Sequence, residues 1–253
     1  MADDTRADSI KAGPIKTDPI GADQIRNYAF APHAIPSVAI DGSDARFPVH
    51  RIYCIGRNYA EHAREMGSAV DRTNPIFFCK PADAVVADGA RIPYPPGTAD
   101  LHHEVEMVVA LHSGGSNIAA GDALKHVFGY AVGLDLTRRD LQAKAKEKGN
   151  PWDTAKAFDR SAPVSALRST RKMGNPLRGK LELEVNGQLR QQGDISDMIF
   201  GVPQIIQALS KLFELTAGDL IFTGTPSGVA ALARGDWFKA RLEGIAELHG
   251  AIV

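Results

Sequence analysis

The stretch His103-Glu104-Val105-Glu106-Met107-Val108-Val109-Ala110 decides how the chain is read. In an extended strand, residues two apart point the same way. Val105, Met107 and Val109 then share a face directed into a core, and Glu104 and Glu106 share the other. A second segment, Gly129-Tyr130-Ala131-Val132-Gly133-Leu134-Asp135, is apolar on both faces and ends in a single acid. Working outward, the apolar-rich Arg51 to Ile55 before Gly56, Pro75 to Lys80 before Pro81, the nearly continuous Val127 to Leu136, and Asp219 to Thr223 read as strands. Leu181 to Val185 alternates, turns at Asn186-Gly187 and returns through Gln188 to Gln192, a hairpin pattern. Helical patterns are short: Tyr59 to Met66 stopping at Gly67, Arg138 to Lys148 stopped by Gly149-Asn150-Pro151, and Pro203 to Phe213 with its stripe Ile205, Ile206, Leu209, Leu212 and Phe213. Residues beyond about 228 read as further short strands. Strands outnumber helices and do not alternate with them, so the expected class is β-rich α+β, not a doubly wound sheet.

At 253 residues the chain is long enough for one large domain or two small ones. Residues 1–48, rich in Ala, Pro, Asp and Ile and interrupted by Pro14, Pro19, Pro32, Pro36 and Pro48, read as a partly ordered arm with a short strand near Ser37 to Ile40. Residues 49–253 read as the main folded domain. Twenty-nine basic against 30 acidic residues leave a formal net charge of -1. That balance argues against a nucleic-acid partner or a polybasic membrane anchor, both of which need clustered positive charge. No apolar run approaches the roughly 20 residues of a membrane span, and the start lacks the basic-then-apolar pattern of a secretory signal. Two cysteines, Cys54 and Cys79, form neither a disulfide framework nor a C-x-x-C pair, which points to a reducing, cytoplasmic location. The phosphate loop, the dinucleotide fingerprint, the G-x-S-x-G elbow and H-E-x-x-H are all missing.

The carboxylates then need an explanation. Glu104 and Glu106 repel each other unless something positive lies between them, and an unpaired Asp135 at the end of a buried strand costs several kcal/mol or more. Convergence of all three on a divalent cation answers both points. An all-oxygen ligand set suits Mg²⁺, Mn²⁺ or Ca²⁺ better than zinc. The plainer alternative is a solvated strand face carrying Glu104 and Glu106, with Asp135 as a helix N-cap.

Other residues invite the same double reading. His62 and Glu65 are three apart and neighbours on one helix face. They suit a water-activating base held by a carboxylate, or an ordinary exposed pair. Lys156, between two alanines, could bind an anion or lie on the surface. Arg139 and Gln142 could reach one pocket from the helix after Asp135, or be part of a solvated face. Lys80 could pair with the acids or snorkel. The loop Gly224-Thr225-Pro226-Ser227-Gly228 could present N–H groups and hydroxyls to a carboxylate, or merely connect strands. Arg57 belongs to a polar run, Arg57-Asn58-Tyr59, placed directly after a buried strand.

Taken in order, Ile55-Gly56-Arg57-Asn58-Tyr59 with His62 and Glu65, Phe78-Cys79-Lys80-Pro81, His103-Glu104-Val105-Glu106, Gly133-Leu134-Asp135, Pro151-Trp152 with Lys156, and Thr223-Gly224-Thr225-Pro226-Ser227-Gly228-Val229 resemble the fumarylacetoacetate hydrolase superfamily over about residues 50–230. Asp41 to Pro48 and the short chain resemble its fumarylpyruvate (acylpyruvate) hydrolase branch. The resemblance implies a mixed β-roll with short peripheral helices, a homodimer, and Mg²⁺ or Mn²⁺ on Glu104, Glu106 and Asp135. It implies His62 and Glu65 as the water-activating dyad, Lys156 as the substrate lysine, and substrate contacts from Gln142 and Thr225; Arg57, Lys80 and Arg139 are further candidates for substrate binding. The implied activity is that of a hydrolase acting on carbon–carbon bonds in ketonic substances, splitting a 2,4-dioxo acid such as fumarylpyruvate in gentisate degradation. Decarboxylation of oxaloacetate, and isomerisation or decarboxylation of 2-hydroxyhepta-2,4-diene-1,7-dioate, would use the same site. A non-catalytic metal or small-acid binding protein is the alternative of another class.

Overall fold

The computed structural model describes residues 28–67 and 69–253. The proposed arm therefore lies outside the described residues up to residue 27. Ile35–Val253 form one compact unit. Within it, Ser37–Ile40 is a strand, as expected, and Ser43–Pro48 returns antiparallel to it. That second strand was not legible in the sequence. Its residues are mostly exposed, so the apolar alternation that marks a strand is missing, and only Phe47 turns inward.

Two sheets make the body. The larger runs in spatial order Arg168–Ser169, Val127–Leu134, Val105–Leu111, Leu220–Phe222, Ile52–Gly56, Ile76–Lys80. All its pairings are antiparallel except that of Leu220–Phe222 with Ile52–Gly56. The smaller runs Gln188–Asp194, Lys180–Val185, Trp237–Leu242, Ala246–Ile252, Ala90–Ile92. It contains the expected hairpin at Asn186-Gly187 and a second hairpin, Trp237–Leu242 with Ala246–Ile252, which the sequence suggested only as short strands. The fold is thus the β-rich α+β class expected, with its helices short and peripheral.

Val105, Met107 and Val109 face a core shared with Leu181, Leu183, Phe238, Ala240 and Leu248 of the smaller sheet. The opposite face of the same strand is not solvated. Beyond Glu106 it continues as Val108 and Ala110 into a second apolar cluster with Cys54, Ala131, Phe222 and the hairpin residues Val38 and Phe47. Glu104 and Glu106 therefore sit at the end of a strand buried on both sides. A carboxylate in such surroundings must find compensation.

Register sets which acids meet. Val105 pairs with Leu134 and Glu106 with Gly133, and one step further the Asp135 N–H donates to the Glu104 carbonyl at 2.8 Å. The Leu101–His102 strand pairs with Thr137–Arg138, which places the helix Arg139–Lys148 over the same strand ends. Gly149 closes that helix in the left-handed conformation, as the stop signal required.

Candidate active site

Glu104, Glu106 and Asp135 are buried, and one carboxylate oxygen from each lies within 4.8 Å of the others. Asp135 is no helix cap. Its Oδ2 accepts from Lys156 Nζ at 2.6 Å, and its Oδ1 faces Lys80 Nζ at 2.8 Å as an ion pair. Lys156 Nζ also donates to Glu104 Oε2 at 2.7 Å and Thr137 Oγ1 at 2.7 Å, so all three of its N–H bonds end on protein acceptors. Arg139 donates to Glu104 Oε1 and to Gln142 Oε1. Burial alone would raise the Glu104 pKa, but Lys156 and Arg139 outweigh it and hold the carboxyl well below the usual range. For Lys156 the order is the same: burial opposes the charge, Asp135 and Glu104 overcome it, and the ammonium is strengthened.

Glu106 differs from its neighbours. It accepts the Gly224 N–H at 2.7 Å, but among the described residues no cation pairs with it. Burial first, then the charges of Asp135 and Glu104, push its pKa well above the carboxylate range. Gly224 can supply that N–H because its φ of +93° turns the chain back at this point, and a Cβ there would lie 2.6 Å from the Cβ of Asn58. A buried all-oxygen trio with one uncompensated member fits a divalent cation of the Mg²⁺, Mn²⁺ or Ca²⁺ type.

The helix Ala60–Glu65 brings His62 to the same cavity. His62 Nδ1 faces Glu65 Oε2 at 3.4 Å, and both Glu65 oxygens accept the Gly228 N–H at 3.2 Å. Burial lowers the His62 pKa despite Glu104 and Glu65, which favours the neutral ring. The helix is anchored by Asn58, fully buried. Its Nδ2 donates to the carbonyls of Phe200 (2.9 Å) and Thr223 (2.8 Å), and its Oδ1 accepts the Phe200 N–H at 2.7 Å.

The cavity walls comprise Arg57, His62, Glu104, Glu106, Asp135, Arg139, Gln142, Lys156 and Thr225, joined by Lys146, Phe78 and Trp152. Lys80 is a correction. The sequence reading placed it among the substrate contacts, but it stands behind Asp135, fully buried, donating to the carbonyls of Leu136 and Lys156. It ends an inward-facing strand position, so its charge is spent on holding Asp135.

Two residues went unread in the sequence. Gln191, buried, accepts from the Val105 N–H at 3.1 Å, meets His103 Nδ1 at 2.8 Å, and donates to Thr225 Oγ1 at 2.8 Å and the Pro226 carbonyl at 2.9 Å. It ties the acid-bearing strand to the Thr-Pro loop and leaves the Thr225 O–H to donate elsewhere. A polar residue on a hairpin strand normally faces water, so nothing local marked it. Lys146 stands on the otherwise polar helix Arg139–Lys148, with nothing local to mark it, yet it lies at the cavity wall with its ammonium 5.4 Å from the Trp152 ring centroid.

Fold and site together define a β-rich protein built around a buried carboxylate centre able to hold a divalent cation. The fumarylacetoacetate (FAA) hydrolase C-terminal profile matches residues 51–253, and the chain belongs to that family. It is 44% identical over 197 residues to the oxaloacetate tautomerase FAHD1, mitochondrial, of Homo sapiens, covering 78% of this chain and 89% of that protein. It is 41% identical over 199 residues to the oxaloacetate tautomerase YcgM of Escherichia coli (strain K12), covering 78% and 90%. The crystal structure of fumarylpyruvate hydrolase from Pseudomonas aeruginosa in complex with Mn²⁺ and pyruvate superposes with a TM-score of 0.88 at 49% identity, covering 90% of this chain and 99% of that one. The chain is an enzyme of this hydrolase and tautomerase family.

Proposed function

We propose that the protein hydrolyses the C3–C4 bond of a 2,4-dioxo acid, fumarylpyruvate or a close acylpyruvate, using Mg²⁺ or Mn²⁺ held by Glu104, Glu106 and Asp135. The observation that carries this reading is the carboxylate-held His62 in the same cavity as the acid trio. The Pseudomonas fumarylpyruvate hydrolase supports it. The cation, when bound, supplies Lewis-acid polarisation of a chelating 2-oxo acid.

The chain's own groups do the rest. Glu65 occupies Nδ1 of His62, which leaves Nε2 to accept a proton from water. The water oxygen adds to the C4 carbonyl, the C3–C4 electron pair passes to the pyruvate fragment as its enolate, and the proton held on His62 can return to C3. Acid and pyruvate together account for the atoms of substrate and water. Thr225, Gln142 and Arg139 orient the acid. Lys156 touches it only by giving up one of its three protein acceptors.

A second reading is favoured by the curated relatives: interconversion of the keto and enol forms of oxaloacetate, which needs a proton carrier but no attacking water. The free, unbridged cysteines support a cytoplasmic setting, and among the described residues no helix is long and apolar enough to cross a membrane. The reading also includes a homodimer. The deciding assay follows fumarate and pyruvate release from fumarylpyruvate, and enol-oxaloacetate decay, with Mn²⁺ and after chelation. Metal-dependent tautomerisation without any hydrolysis would overturn the hydrolase reading.

A further inference from the structure

We propose that Lys156 is a resident counter-cation of the acid centre that competes with the divalent ion for Glu104 and Asp135, so that the ion binds weakly alone and firmly only together with an anionic oxo acid. The inference rests on the reading of the acid trio as a metal site, and it gives Lys156 a role toward the ion that a substrate contact does not contain.

Three carboxyl groups already face three cations. Arg139 donates to Glu104, Lys80 faces Asp135 Oδ1 at 2.8 Å, and Lys156 Nζ donates to Glu104 Oε2 at 2.7 Å and to Asp135 Oδ2 at 2.6 Å. The centre therefore holds no excess of negative charge to draw in a further ion. Among the described residues Lys156 is the one cation that bridges two of the acids. Its side chain is 3% exposed, so water screens its field little. An ion drawn to the same two carboxylates brings two positive charges up to this ammonium, and like charges in a dry site repel strongly. The oxygens are not equally contested. Asp135 Oδ1 is buried and accepts no hydrogen bond, whereas both oxygens of Glu104 are taken, one by Arg139 and one by Lys156. Glu104 is where ion and ammonium meet.

The third N–H of Lys156 ends on Thr137 Oγ1 at 2.7 Å, so none is left for a ligand. Withdrawal from Glu104 serves two ends: it opens a carboxylate oxygen to the ion and frees one N–H for the acid. Lys156 Nζ lies 4.9 Å from the Phe78 ring centroid, and Phe78 lines the cavity, so the ammonium already borders the space that a ligand enters. With the ion added, the centre becomes positive, and Arg57 and Lys146 stand on the same wall. A chelating anion offsets that excess. Ion and oxo acid therefore reinforce each other, and by linkage each raises the other's affinity by the same factor.

Calorimetry on the full chain, stripped of metal by a chelator, tests this with Mn²⁺ and pyruvate as the probes. The wild type is expected to bind Mn²⁺ about tenfold or more tightly in saturating pyruvate than without it. Lys156→Met and Lys156→Gln should each bind Mn²⁺ alone about tenfold or more tightly than the wild type, because the competing charge is gone. Pyruvate should then add less than about threefold in either variant, and Lys156→Arg, which keeps the charge, should behave as the wild type does. A lysine that merely braces the acids predicts the opposite sign, so unchanged or weaker Mn²⁺ binding in the neutral variants overturns the proposal. Should neither neutral variant fold, the wild-type titration decides: a pyruvate effect under about twofold refutes the competition, and a larger one supports it. Because these readouts are of binding alone, a protein that shows them but releases no fumarate or pyruvate loses the hydrolase reading and keeps this one. A wild type that binds no Mn²⁺ with or without pyruvate refutes both the metal site and the competition.

Discussion

The acid centre and the His62 helix share one cavity but are held in different ways. Glu104, Glu106 and Asp135 project from the ends of two central strands whose register is fixed by seven paired positions. Lys156, Lys80 and Arg139 close around two of the three acids with contacts of 2.6–2.8 Å where Lys156 and Lys80 are concerned. His62 sits on a helix of six residues, and its partner Glu65 lies 3.4 Å away with a side chain 36% exposed. The contrast separates two needs. Like charges are held together in a dry site by rigid surroundings that pair most of them. A base that must take and return a proton needs only a fixed tautomer and room to adjust.

The largest expected effect breaks the acid centre in two opposite directions. Asp135→Asn leaves Lys80 and Lys156 facing a neutral amide, and removing one side of a buried pair costs about 3–5 kcal/mol. Urea unfolding in chelator should show that loss. Glu106→Gln, at the acid without a cation, should be neutral or stabilising in chelator, yet lose the extra stability that Mn²⁺ gives the wild type. If both variants destabilise the chelated protein equally, the acids are not differently compensated.

At the other end of the comparison, His62→Asn is expected to lower kcat on an acylpyruvate by about 10²–10⁴-fold while leaving Mn²⁺ affinity, read by calorimetry, unchanged. A matching loss of metal binding would mean that the helix belongs to the acid centre after all.

Gln191 joins the two halves through Val105 and Thr225. Gln191→Leu strands the buried Val105 N–H on one side and the acceptors Thr225 Oγ1 and the Pro226 carbonyl on the other, at about 1–3 kcal/mol for each unsatisfied group. Denaturant unfolding should record a loss in that range, and KM should rise as Thr225 loses its orientation.

The smallest effect concerns pH. Lys146 stands among Arg139, Arg57, Glu104 and Lys156, and its pKa near 8 means that its charge is present below that pH and lost above it. KM for a dicarboxylic substrate should therefore rise several-fold between pH 7 and pH 9, and Lys146→Met should remove that rise.

Much of the acid centre was legible because a strand's two-residue period is strict. Once 103–110 is read as a strand, Glu104 and Glu106 must share a face, and a run apolar on both faces that ends in Asp135 demands a partner. Residue type and spacing alone determined the β-rich class, the candidate acids, the His62 and Glu65 neighbours, and the stop at Gly149. Tertiary structure alone decided that both faces of the Val105–Leu111 strand are buried, that Lys80 serves Asp135 and not the cavity, that Gln191 bridges strand and loop, and that Lys146 joins Arg57 at the wall. Those facts depend on groups far apart in the chain, as His103 and Gln191, 88 residues apart, are. A charged or amide side chain carries no local mark of whether it will meet water or a buried partner, because that is settled by what the sheets bring against it.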